Sequence, residues 1–138
     1  MSWHEISYRV PYADTDQMGV VYYANYFVYF ERSRTEMMRS AGFPYSELEK
    51  MGVLLPVVEA HCNYRSSAGY DDLLTLKSAV IRARGVRLEI AGQVWRGGEM
   101  LVSGGVTLAC VDTGRRPCRI PEQLLKICEM YKGDGNEL

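Results

Sequence analysis

Two carboxylates, Asp14 and Asp16, stand two residues apart in the polar turn ADTDQMG, just ahead of an apolar and aromatic run. Apart from Asn25, every residue from Gly19 to Tyr26 is Gly, Ala, Val or Tyr. A carboxylate facing such a slot can act as a nucleophile or as a general base for water. Backbone N–H groups at the start of a following helix can stabilise an oxyanion as it develops. Acyl transfer needs both parts, and both are local here. The same spacing also has a purely structural reading, because Asp is a common turn and cap residue that satisfies orphan helix N–H groups. On spacing alone both readings stay open.

The elements that must position these groups follow from the pattern around them. Residues 3 to 12, WHEISYRVPY, read as a first strand closed by Pro11. The tract ANYFVYFERSRTEMMRSA, from about 24 to 41, reads as the one long helix, ended by Gly42 and Pro44. Its first half, Tyr26 to Phe30, is apolar on nearly every side, so this helix needs to be wrapped. Tyr26, Phe30, Ser33, Met37 and Ala41 make one continuous face, with Glu31, Arg32 and Arg39 on another. A short helical turn fits PYSELEKMG, where Ser46 and Glu49 have capping-box spacing.

Beyond Met51 the period changes to two. Val58, Ala60, Cys62 and Tyr64 alternate with Glu59, His61, Asn63 and Arg65, and Val86, Leu88, Ile90 and Val94 alternate with Arg87, Glu89 and Gln93. Two further strands fit Leu73 to Arg84 and Glu99 to Asp112, with turns at Arg84-Gly85 and at Arg96-Gly97-Gly98-Glu99. Four strands in succession predict an antiparallel meander, followed by a short helix from Glu122 to Tyr131. A sheet with one open edge and a single apolar helix invites pairing with a second copy.

Composition bounds the partners. The chain has 138 residues, 47% hydrophobic and 24% charged, which fits one globular domain over 1–138 and excludes disordered, collagenous and coiled-coil classes. A net charge of −1 gives no general attraction for nucleic acid or an anionic membrane. The sign is uneven: residues 65 to 119 carry a net +4 and the remainder −5, which suits a small phosphorylated ligand or simply a solvated face. Four cysteines, at 62, 110, 118 and 128, form no CxxC pair, and the Met-Ser-Trp-His start lacks a basic, apolar leader, so a cytoplasmic protein is expected. Apolar runs are too short for a membrane span, and two histidines, His4 and His61, give no zinc-ligand spacing. His61 falls on the polar face of its strand.

The segment YADTDQMGVVYYANYFVYFER, residues 12 to 32, with its pattern D-x-D-x-x-G-V-V-Y-x-x-N-Y-x-x-x-F-E, resembles the signature of the 4-hydroxybenzoyl-CoA thioesterase family of hotdog-fold acyl-CoA thioesterases. The similarity continues through AGYDDLLTL at 68 to 76 and VTLACVDTGRRPCRIP at 106 to 121, so it covers almost the whole chain. The resemblance implies an α+β hotdog fold, a five-stranded antiparallel sheet wrapped around one long central helix, with dimers whose sheets join, a homotetramer built from them, and active sites between subunits. It implies Asp16 as the catalytic carboxylate, the backbone N–H of Tyr23 as the group that polarises the thioester oxygen, and Gly19 as the residue that lets the turn bring them close. Many bacterial members carry His at the position of Tyr23; a backbone role survives either side chain.

Asn25 and Glu31 also match the motif, Asn25 at the helix start or the edge of the pocket and Glu31 as an internal anchor or a contact at the acyl end. Another hotdog branch uses a helix glutamate as base, which makes Glu31 and Glu36 rivals to Asp16. Tyr22, Tyr23, Tyr26 and Phe27 could form the wall for an aryl or medium-length acyl group, or could equally be helix core. Coenzyme A phosphates call for arginine forks, and Arg82, Arg84 and Arg87 flank one hairpin while Arg115, Arg116 and Arg119 flank another turn. The expected function is hydrolysis of an acyl-CoA to free acid and coenzyme A with neither metal nor redox cofactor. A non-hydrolytic acyl-thioester or acyl-carrier binding module is the alternative, and a hotdog hydratase is disfavoured because neither histidine stands in the motif.

Overall fold

The computed structural model describes residues 2–133; residue 1 and residues 134–138 of the expected single domain lie outside the described residues. The elements run β1 (His4–Arg9), a short 3-10 turn (Tyr12–Asp14), α1 (Asn25–Ser40), α2 (Tyr45–Lys50), β2 (Val57–Tyr64), β3 (Leu73–Arg84), β4 (Arg87–Arg96), β5 (Glu99–Ala109) and α3 (Glu122–Met130). The five strands form a single antiparallel sheet in the order β1-β3-β4-β5-β2.

Local chemistry explains most of these boundaries. α1 stops where Gly42, at φ +82, takes the left-handed conformation that a side chain disfavours. There the Phe43 N–H donates to Met38 O (3.1 Å) and the Gly42 N–H to Arg39 O (3.0 Å), the paired bonds of a Schellman ending. Arg84 pairs with Arg87, and Arg96 with Glu99, so both hairpins turn on two residues, as their glycines predict. α2 forms where expected but without the capping box. Pro44 precedes its first turn and no side chain caps it, since Ser46 lies inside the helix rather than ahead of it.

Strand order departs from the predicted meander. Only β3, β4 and β5 follow one another; β2 pairs with β5 at the far edge and β1 with β3 at the other. The segment 65–72 must therefore cross from one edge of the sheet towards the other, and it does so over the beginning of α1. The Val21 N–H donates to Ala68 O (2.8 Å) and the Ala68 N–H to the Tyr26 hydroxyl (3.1 Å). Alternation within a strand reports which face is apolar but not which strand lies beside it.

The core divides into two clusters along α1. Tyr26, Tyr29 and Phe30 pack with Val10, Leu74, Val94 and Leu101 around its first half. Met37 and Met38 join Leu48, Val80, Leu88, Ile90 and, from α3, Leu124 and Ile127 around its second half. α1 touches β1, β2, β3 and β4, and the buried Ser78 hydroxyl donates to that of Ser33 (2.6 Å), tying the helix to the sheet. α3 shares the covered face with α1, so the sheet is not served by one helix alone. Val28 is 49% exposed, so the first half of α1 is not wrapped on every side. Nor is β2 half-buried as its alternation predicts: Val57, Val58 and Tyr64 are each about half exposed, because an edge strand has cover on one flank only.

Candidate active site

The two aspartates have different partners. The Asp14 Oδ2 accepts hydrogen bonds from two tyrosine hydroxyls, Tyr8 at 2.7 Å and Tyr29 at 2.8 Å. Burial, reinforced by these bonds to a carboxylate, pushes the Tyr8 hydroxyl up to about 12 and the Tyr29 hydroxyl higher still. The Asp14 carbonyl accepts the Tyr22 N–H (2.9 Å) and the Asn25 side-chain amide (3.0 Å). Asp14 thus clamps β1, the interior of α1 and the turn that begins α1. Neither aspartate caps the helix through its carboxylate: the residue ahead of the first turn is Ala24, and no side chain caps it.

Asp16 has a single anchor. Its Oδ1 accepts the Met18 N–H at 2.8 Å, and among the described residues its Oδ2 has no partner. Its backbone closes a tight loop: the Asp16 N–H donates to Val20 O (2.9 Å) and the Gly19 N–H to Asp16 O (3.0 Å). Gly19 sits at φ +80 with nothing near a would-be Cβ, so it serves the turn by conformation and not by small size. The returning strand of the loop then pairs Val21 with Thr15 and Val20 with Gly69.

The start of α1 supplies donors. Asn25, Tyr26 and Phe27 N–H groups bond back to the carbonyls of Tyr22, Tyr23 and Ala24. Among the described residues the N–H groups of Tyr23 and Ala24 find no acceptor, and they lie in the positive end of the helix. The Tyr23 carbonyl is held by the Tyr64 hydroxyl (3.2 Å), which fixes this turn to the end of β2. A free carboxylate oxygen and two free N–H donors on segments locked together through Asp14 are the equipment for attack on a carbonyl.

The other expected residues divide. Tyr22 and Tyr23 are exposed and in ring contact (4.9 Å between centroids), and Tyr23 also meets Tyr64 (6.3 Å). Tyr26 is 2% exposed, with its hydroxyl on Ala68, so within the chain it is a core strut and not a pocket wall. Asn25 spends its amide N–H on Asp14 and serves the helix start. Glu31 lies further along α1 beside a cavity. Glu36 is paired with Arg39. His61, on β2, stands exposed over Gly105.

Arg82, Arg84 and Arg87 gather around a depression of about 250 Å³ with Glu59 and Glu89, where Arg82 and Glu89 are 3.4 Å apart. That is the β3–β4 hairpin end, whereas the Asp16 loop packs beside the residues just before β3, at the Trp95 end of β4. Eight residues of strand separate the two ends, roughly 26 Å, so one chain does not bring these arginines to Asp16. Arg115 and Arg116 lie on a turn held by Asp112. Sequence reasoning missed Tyr8, Tyr29, Tyr64 and Ala24. For Tyr29 the available signal was Tyr in place of Phe on the buried face of α1, since a buried hydroxyl requires a partner. Among the described residues no group of three His, Cys, Asp or Glu is placed to hold a metal ion.

The sequence model of the thioesterase-like superfamily matches residues 10–127. The chain belongs to that superfamily. This thioesterase-like chain is 36% identical over 118 residues to the acyl-CoA thioesterase YbgC of Haemophilus influenzae, covering 84% of the chain and 87% of that relative. It is 26% identical over 127 residues to a 1,4-dihydroxy-2-naphthoyl-CoA hydrolase of a Synechococcus strain, covering 87% and 85%. The solved structure of a DHNA-CoA thioesterase from Staphylococcus aureus superposes with a TM-score of 0.86 at 28% identity, covering 95% of the chain and 89% of that structure. The sheet and helices are therefore those of the hotdog thioesterases, and the enzymatic class is thioester hydrolase.

Proposed function

We propose that the protein hydrolyses an acyl-CoA carrying an aromatic or short to medium-length acyl group, with Asp16 as the reacting carboxylate. The observation that carries this is the asymmetry of the two aspartates: Asp14 is gripped at one oxygen by two tyrosine hydroxyls, while Asp16 is held by a single backbone N–H, on a loop that leads into the unpaired N–H groups of the α1 start. In one route Oδ2 attacks the thioester carbonyl, the C–S bond breaks, the CoA thiolate takes a proton from solvent, and water then cleaves the mixed anhydride. In the other, Asp16 takes a proton from water as the new C–O bond forms, the C–S bond breaks, and that proton passes to the CoA sulfur. In both the Tyr23 N–H donates to the oxyanion. Relatives named for 1,4-dihydroxy-2-naphthoyl-CoA support the aromatic end of the substrate range.

The working unit in this reading is at least a dimer joined at β2, and pairing of such dimers gives the homotetramer. β2 is an edge strand with exposed apolar side chains, a form that single chains normally protect. Antiparallel pairing of β2 with its own copy about a two-fold axis near mid-strand sets Val57 opposite the partner's Tyr64. The Asp16 and Tyr23 end of one chain then meets the arginine-rich end of the other, and Arg82, Arg84 and Arg87 face coenzyme A phosphates.

The test is colorimetric thiol release from aromatic, short, medium and long acyl-CoA substrates by the native protein and Asp16→Asn. Turnover is expected to fall at least roughly 100-fold in the variant with folding and oligomeric state retained. Binding without thiol release would leave a non-catalytic acyl-thioester module, and turnover indifferent to Asp16 would move the role to Glu31.

A further inference from the structure

The second half of α1 passes over a cavity of about 490 Å³, a size typical of small-molecule sites. Its walls are largely aliphatic, with Met38, Val80, Ile90, Leu124 and Ile127 among them. The polar side chains on its lining are Glu31, Arg34, Thr35 and Tyr45. The Tyr45 hydroxyl is taken by the Leu55 N–H (3.2 Å), and Glu31 is exposed to solvent. Among the described residues Arg34 is the one cation on the lining. Its Nη1 is sealed from solvent without an acceptor, and among the described residues no carboxylate lies within ion-pair distance of it. Burial holds its guanidinium below the ordinary arginine value, with the charge of Glu31 pulling back the other way.

A guanidinium beside an apolar chamber and short of an acceptor is costly, and an anionic oxygen in the chamber offsets that cost once the guanidinium turns its Nη1 toward it. The chamber also reaches the correct edge of the molecule. Leu55 and Val57 line it at the start of β2, the edge through which the proposed dimer forms. We infer that this cavity receives the acyl group and that Arg34 reads its far end, so that the preferred ligands are acyl groups bearing a carboxylate distal to the thioester. This rests on the thioesterase reading above and adds to it a specificity-determining residue.

Two measurements separate the inference from its foundation. The first does not involve hydrolysis: calorimetric binding of octanoate and of octanol to the native protein, Arg34→Met and Arg34→Lys. Octanoate is expected to bind roughly tenfold or more tightly than octanol to the native protein, with the difference lost in Arg34→Met and partly kept in Arg34→Lys. Equal affinities in the native protein, or an undiminished preference in Arg34→Met, would overturn the inference. Should Arg34→Met fail to fold by circular dichroism, the native and Arg34→Lys comparison decides alone, and no octanoate preference in the native protein is then the overturning result. The second is the ratio of kcat/KM for ω-carboxyacyl-CoA over the methyl-terminated acyl-CoA of equal length. That ratio is expected to exceed about ten in the native enzyme and to approach one in Arg34→Met. An equal loss on both substrates assigns Arg34 a structural role and sinks the idea. No thiol release from any substrate defeats the thioesterase reading, while the binding measurement still judges the cavity.

Discussion

The two halves of α1 are built on opposite principles. Around the first half, the polar side chains that pack on α1 have partners: Tyr8 and Tyr29 on Asp14, Tyr26 on Ala68, Asn25 on the Asp14 carbonyl. Packing there is tight enough that a Cβ on Gly92 would lie 2.5 Å from the Phe30 ring. Around the second half the helix spans a chamber, and a buried arginine nitrogen goes unmatched. Matched, close-packed surroundings suit a site whose reacting atoms must not move, because small displacements of catalytic groups are expensive. A hollow with an unmatched donor suits a site that selects by what fills it.

Adding bulk to each half tests the contrast most sharply. Gly92→Ala is expected to destabilise by about 1–3 kcal/mol, because Phe30 must leave its place, whereas Val80→Ile beside the chamber should be neutral or stabilising by about 0.5–2 kcal/mol. Urea midpoints of both variants measure the difference, and equal costs would mean that the hollow closes in solution. Removing polar groups gives the next effect, opposite in sign between the halves. Tyr29→Phe leaves a partly buried carboxylate oxygen one donor short and is expected to cost about 1–3 kcal/mol. It should also lower kcat more than it raises KM, since the Asp14 clamp holds the Asp16 loop. Arg34→Met removes the unmatched donor and is expected to leave stability unchanged or raise it by about 1 kcal/mol. A substantial loss there would show that Arg34 already has a good partner in the free protein.

How much of this was legible depended on the range of the interaction responsible. The D-x-D turn, Gly19, the start of α1 near Asn25 and its Gly42 ending were all readable, because turns, caps and helical period are set within a few residues of chain. The roles of Asp14 and Asp16 were not separable at that range. What divides them is Tyr8 on another element and Tyr29 fifteen residues away, neither announced by the motif. Whether Tyr26 was pocket wall or helix core stayed open for the same reason, since its partner Ala68 lies 42 residues on.

The amino-acid sequence by itself determined the strands, the long helix, the two-residue hairpins and the family signature, all products of local hydrogen bonding and side-chain period. The tertiary structure decided that β2 leaves the meander for the far edge, that α3 shares the sheet with α1, that one aspartate is gripped by two tyrosine hydroxyls while the other has only a backbone N–H, and that a chamber opens beside Arg34. Each of these turns on which distant groups meet. Strand alternation and motif spacing carry no information about that, because a strand shows the same pattern beside any neighbour and a carboxylate looks the same until its partners arrive.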